Sequence, residues 1–152
     1  MADTHEEYVA QWHARMMRGI AQSIPMTVED VRPERVIVSM PVDARTHQPW
    51  GRLHGGASVV LAETAASIGG NANCAPDKTA VGQEINANHL RPVSEGTIRA
   101  VGVPIHIGRT SHVWQIEIRD EQERLVCVSR CTLAVVDMPE GAAGRPVPPP
   151  SA

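Results

Sequence analysis

The chain predicts an α+β domain in which an antiparallel sheet of five to six strands wraps around one long central helix. Three observations carry that prediction. The run at 54–73, HGGASVVLAETAASIGGNAN, places Ala57, Val60, Leu61, Thr64, Ala65 and Ile68 at i, i+3, i+4 spacing, which is a helix of about five turns. After Lys78 the pattern changes to long strand-like stretches separated by short polar turns, and short turns join antiparallel neighbours. A length of 152 residues suits one core, and the sheet can cover its apolar face only with the central helix.

In chain order, Tyr8, Trp12, Met16 and Ile20 recur every four residues and predict an amphipathic helix over about 4–20, packing as a lid or brace within an N-terminal segment 1–23. The main domain is expected over 24–138. It begins with ERVIVSMPV, whose Val36, Val38 and Met40 share one face of a strand, after a hairpin around Arg32 and Pro33. Residues 44–53 combine Pro, Gly and polar groups and read as a loop leading into the helix. Strands follow at roughly 79–91, 96–107, 111–120 and 124–137, expected as a meander. In the third of these, His112, Trp114, Ile116 and Ile118 alternate with Val113, Gln115, Glu117 and Arg119, as a sheet with one covered face requires. The stretch 139–152 ends in GAAGRPVPPPSA, too poor in apolar side chains to fold by burial, and is expected to be a disordered tail.

Composition narrows the function classes. A net charge of −3 with no Lys/Arg block gives neither a nucleic-acid footprint nor a polybasic membrane patch. The longest apolar stretch, Ala57 to Gly70, is interrupted by polar residues and falls short of the ~20 residues of a membrane span. The N-terminus lacks a basic segment leading into an apolar one, so a cytoplasmic location is expected. Cys74, Cys127 and Cys131 form no C-x-x-C pair, and the 7 histidines form no H-E-x-x-H or H-x-H group, so neither metal nor cofactor is expected. Small molecules and identical chains remain as partners.

Glu63 is the most informative residue. It sits mid-helix among Val59, Val60, Leu61, Ala62, Ala66 and Ser67, with no Lys or Arg at i±3 or i±4. A solvated face is one reading; the other is a poorly solvated carboxylate with raised proton affinity and reactivity. Gly55 and Gly56 open the same helix, where first-turn N–H groups and the helix dipole suit a developing oxyanion; a plain loop-to-helix turn is the alternative. The rise of about 1.5 Å per residue separates Gly55 from Glu63 by ~12 Å along the axis, too far to serve one carbonyl. Two chains must therefore supply the two groups if both act on one substrate, which makes a dimer a requirement of activity.

The runs QPWGRLHGGASVVLAETAAS, VGQEINANHLRP and IHIGRTSHVWQIEI resemble the hotdog-fold acyl-CoA thioesterases, in the branch of the 1,4-dihydroxy-2-naphthoyl-CoA and one group of the 4-hydroxybenzoyl-CoA thioesterases, over about residues 24–136. The resemblance implies hydrolysis of acyl-CoA, aromatic acyl groups preferred, to free acid and CoA. It implies that Glu63 acts as nucleophile or general base, that the Gly55 N–H holds the carbonyl oxygen, that Gln48 and His54 position the acyl group or water, and that Ser67 orients the carboxylate or water. It further implies substrate contact by His89 from a strand at the dimer interface, and CoA phosphate contacts by Arg91, His106, Arg109, Thr110 and Ser111. Further pairing of dimers into a tetramer is expected. Gly69, Gly70 and Trp50 depart from the family pattern and are read as lining or backing the acyl pocket. A hotdog dehydratase or hydratase, or a non-catalytic acyl-CoA binding module, is the alternative function; the former wants a His as its main acid/base group.

Overall fold

In the computed structural model, which describes residues 4–142 and 144–149, the chain runs α1 (His5–Met16), a 3-10 helix (Gly19–Gln22), β1 (Thr27–Arg32), β2 (Arg35–Pro41), α2 (Gly55–Ala72), β3 (Lys78–His89), β4 (Thr97–Ile107), β5 (Ser111–Arg119) and β6 (Leu125–Asp137). The six strands form one antiparallel sheet around α2, as predicted.

The expected N-terminal helix is shorter than its stripe. Thr4 opens it with a capping box, its Oγ1 accepting from the Glu7 N–H while the Glu7 carboxylate accepts from the Thr4 N–H. Tyr8 and Trp12 are buried, but the helix ends at Met16, Arg18 is extended at φ −124° and ψ 159° and Gly19 sits at φ +60°, so Ile20 leaves the stripe and is 54 % exposed.

Sheet order is β1-β2-β4-β5-β6-β3, which corrects the expected meander: β4, β5 and β6 follow one another, but β3 lies on the far side of β6. The cause is the connection 90–96. Its seven residues span up to roughly 23 Å when extended, enough to cross the ~14 Å that separates β3 from β4 across two intervening strands. The Leu90 N–H donates to Val126 and the Leu53 N–H to Val93, so the connection is tied down across the end of the sheet.

The sheet's inner face is apolar. Val36, Val38, Met40, Ile98, Ala100, Trp114, Ile116 and Ile118 are fully enclosed against Leu61, Ala62, Ala65 and Ala66 of α2, and the predicted alternation in β5 holds. Gly69 and Gly70 face this sheet rather than a ligand pocket. A methyl group at either would overlap the Trp114 ring or the Leu133 side chain, so the glycine pair lets the helix end lie flat on the strands. His112 and Ser129 are polar exceptions, each 2 % exposed: the Ser129 hydroxyl donates to the Asn86 carbonyl, whereas the buried His112 Nδ1 has no hydrogen-bond partner among the described residues.

Burial holds the His112 imidazole below its ordinary pKa of 6.5. The unfolded chain therefore binds the proton more readily than the folded one, and stability is complete above about pH 6.5 and declines as pH falls through that value. Thermal melts between pH 7.5 and pH 5.5 will show a fall in Tm that is smaller in His112→Gln.

The two sheet edges differ. At β1, α1 lies over the edge: His13 Nδ1 accepts from the Val28 N–H at 3.3 Å, His5 Nε2 meets Asp30 Oδ1 at 2.7 Å, and a bulge interrupts the strand between Val28 and Asp30. β3 is twelve residues long and exposed along Val81–Glu84. Beyond β6, the expected disordered tail lies outside the described residues at 143 and 150–152. Residues 144–149 have no regular secondary structure, and Pro146 is buried. None of the described helices is long and apolar enough to cross a membrane.

Candidate active site

The start of α2 carries the first half of the site. His54 is the N-cap, in extended conformation: its Nδ1 accepts from the Gly56 N–H at 2.8 Å, and its carbonyl accepts from the N–H groups of Ala57 and Ser58. With Nδ1 an acceptor, the neutral ring carries its proton on Nε2. Among the described residues, the Gly55 N–H alone of these first-turn donors has no acceptor. A cleft of about 360 Å³ opens there, lined by Gln48, Leu53, Gly55, Ser58, His89, Arg91 and Val126. The His89 ring stands so close that a Cβ on Gly55 would lie 2.7 Å from its Nε2, so a side chain here would have to push that exposed ring aside.

Gln48 reaches the cleft from a turn closed by the Gly51 N–H on the Gln48 carbonyl, with Pro49 at its corner and Gly51 at φ +74°. The Trp50 N–H donates to the Gln48 side-chain oxygen, so the acceptor end of that amide is used by the turn and its NH2 donor is left for the cleft. Trp50 itself is 81 % exposed and borders a separate surface cleft with Arg52 and Val93.

Glu63 belongs to a second half. It is neither solvated nor sealed: partly buried, its carboxylate lies against Gly82 of β3, where a methyl group would overlap it. Gly82 adjoins a bulge between Gly82 and Glu84. A strand-interior glycine marks a close approach or a bulge, and Gly82 is the residue in the sequence that signals this one. Behind the carboxylate, burial, with the Glu63 and Glu84 charges added, pushes the Cys131 thiol up to about 12, so this cysteine stays protonated and is no nucleophile. Ser67, one turn after Glu63, is partly buried and borders a small cavity beside α1.

Sheet register places the remaining candidates. The Arg91 N–H donates to the Val126 carbonyl, while the Val135 N–H donates to Thr110. Nine residues of β6 separate these points, ~30 Å at a strand's rise. Arg91 thus shares the end of the sheet with Gln48, His54, Gly55 and His89. His106, Arg109, Thr110 and Ser111 share the other end with Glu63, because Ser111 pairs with Ala134 and Gly82 with Leu133. One chain brings each group together and keeps the two groups apart.

A six-stranded antiparallel sheet wrapped on one long helix is the hotdog arrangement. The chain belongs to the thioesterase superfamily, whose family model matches residues 51–127. It is 47 % identical over 117 residues to the 1,4-dihydroxy-2-naphthoyl-CoA hydrolase of Listeria monocytogenes, covering 77 % of this chain and 95 % of that one. It is 50 % identical over 108 residues to the enzyme of the same name from Escherichia coli, covering 71 % and 79 %. The crystal structure of a thioesterase from Haemophilus influenzae superposes with a TM-score of 0.83 at 40 % identity, over 94 % of this chain and 97 % of that one.

Proposed function

We propose that the protein hydrolyses aromatic acyl-CoA thioesters in the cytoplasm, at two composite sites in a homodimer. The observation that carries this reading is the division of the candidate residues between opposite ends of one chain. The open edge of β3 supports it. Antiparallel pairing of two β3 edges about a two-fold axis near Ile85 brings the Gly82 end of one strand beside the partner's His89 end, because Ile85 lies close to midway between them. Glu63 of one protomer then faces the Gly55 N–H of its partner. Arg109, Thr110 and Ser111, with His106, come onto the same side as the partner subunit's Arg91, where guanidinium and hydroxyl donors suit the phosphates of CoA.

In this reading the thioester carbonyl oxygen takes the Gly55 N–H, reinforced by the positive end of the α2 dipole. Gln48 and His54 position the acyl group or water through the Gln48 NH2 and the His54 Nε2–H, and Ser67 orients the carboxylate. Glu63 follows one of two routes. It attacks the carbonyl carbon, expelling CoA thiolate and leaving a mixed anhydride that water cleaves, or it takes a proton from water, which attacks directly. A thiolate leaves without a strong general acid, so one carboxylate and one amide suffice and no cofactor is used. The names of the Listeria and Escherichia relatives support an aromatic acyl group. Pairing of dimers into a tetramer is compatible with either route.

Steady thiol release from a panel of aromatic and aliphatic acyl-CoAs tests the reading. Aromatic substrates are expected to give the higher kcat/KM; hydration of an enoyl-CoA without thiol release, or tight binding without turnover, contradicts it.

A further inference from the structure

A second, smaller cavity begins one helical turn beyond Glu63. It measures about 120 Å³ and is lined by Ser67, Ile68 and Asn71 of α2, Trp12 and Met16 of α1, and Arg145. Ser67 follows Glu63 by four residues, so both side chains leave the same face of α2. Arg145 comes from outside the hotdog sheet and helix. Its guanidinium donates to the carbonyls of Cys74 and, at 2.9 Å, Ala75 in the α2–β3 connection, and at 3.3 Å to that of Lys78, the first residue of β3. Arg15 of α1 holds the same segment by donating to the Gly144 carbonyl at 2.9 Å. Three carbonyls and a buried Pro146 leave this side chain little freedom to swing aside.

We infer that the C-terminal segment at Arg145 walls off the acyl pocket and sets the largest acyl group the enzyme accepts, an inference that rests on the thioesterase reading above. A cavity of roughly 150 Å³ holds one benzene ring, so the 120 Å³ here has room for no more than a single ring. A fused two-ring acyl group, as in the substrate that names the two relatives, does not fit behind this wall. The segment therefore distinguishes this chain's substrate class as single-ring or short-chain acyl-CoA.

The test compares kcat/KM for benzoyl-CoA and 2-naphthoyl-CoA in the wild type and in Arg145→Ala. The wild type is expected to favour benzoyl-CoA by about tenfold or more, and the variant to raise the naphthoyl-to-benzoyl ratio by about tenfold. An unchanged ratio in a cooperatively melting variant overturns the wall. Should the variant fail to fold, amide exchange of the wild type with a thioether analogue of benzoyl-CoA decides. Slowed exchange at Gly144, Arg145 and Val147 supports the wall, and slowing confined to 54–58 overturns it. Absence of turnover on every acyl-CoA by the wild type fails the thioesterase reading itself, a result distinct from an unchanged ratio.

Discussion

Glu63→Gln is expected to lower kcat by about 10³-fold with KM little changed, because it removes the one group able to attack the thioester or activate water while preserving shape and the neighbouring amides. The folded state should tolerate it. Glu63 makes no ion pair among the described residues, and an amide of the same size fits beside Gly82. Melting within a few tenths of a kcal/mol of wild type, measured on the same preparation, separates a chemical lesion from a structural one. Turnover near the wild-type rate removes Glu63 from the reaction.

The second large effect is expected at the other end of the helix. Gly55→Pro deletes the proposed oxyanion donor and little else in the backbone. Proline is favoured at the first position of a helix, and the preceding residue must be extended, which His54 already is at φ −71° and ψ 131°. The Gly55 N–H has no acceptor to lose among the described residues. The ring must displace only the exposed end of His89. Loss of one such donor costs about 10²- to 10³-fold in kcat, whereas a merely structural glycine leaves kcat unchanged in a variant that still melts cooperatively. Kinetics of Gly55→Pro beside a His89→Ala control separate the donor from the displaced ring.

Much of the fold was legible in the sequence because burial imposes period. The central helix and the last three strands were placed to within one or two residues, since a helix stripe and a strand alternation leave unmistakable signatures when one face is covered. Strand order was not legible. Nothing in residues 90–96 says that they cross the end of the sheet instead of turning back, because that depends on the distance between strand ends in the folded chain. The N-terminal helix is shorter than its stripe because Ile20 continues the spacing in number while the backbone leaves the helical conformation at Met17 and Arg18.

The candidate site was legible where local chemistry is unusual: a lone carboxylate inside a helix, glycines at its start. Gly82 was missed, although its reason for being glycine is the Glu63 carboxylate against it. Arg145 was read as part of a compositional tail, since its carbonyl partners lie 67 to 71 residues away in the chain. The separation of Gly55 from Glu63 along the helix is matched by the sheet. The sheet register adds a second separation, between Arg91 and Arg109–Ser111, that no helix count contained.

Subunit mixing tests the two-chain site most directly. Co-expressed Glu63→Gln and Gly55→Pro chains, each inactive alone, form hybrid dimers in which one site combines an intact Glu63 with an intact Gly55 and the other combines both lesions. Random pairing makes half the dimers hybrids, each with one working site of two, so about a quarter of wild-type kcat is expected. Activity no greater than that of either variant alone would place both groups in one chain's site and contradict the account.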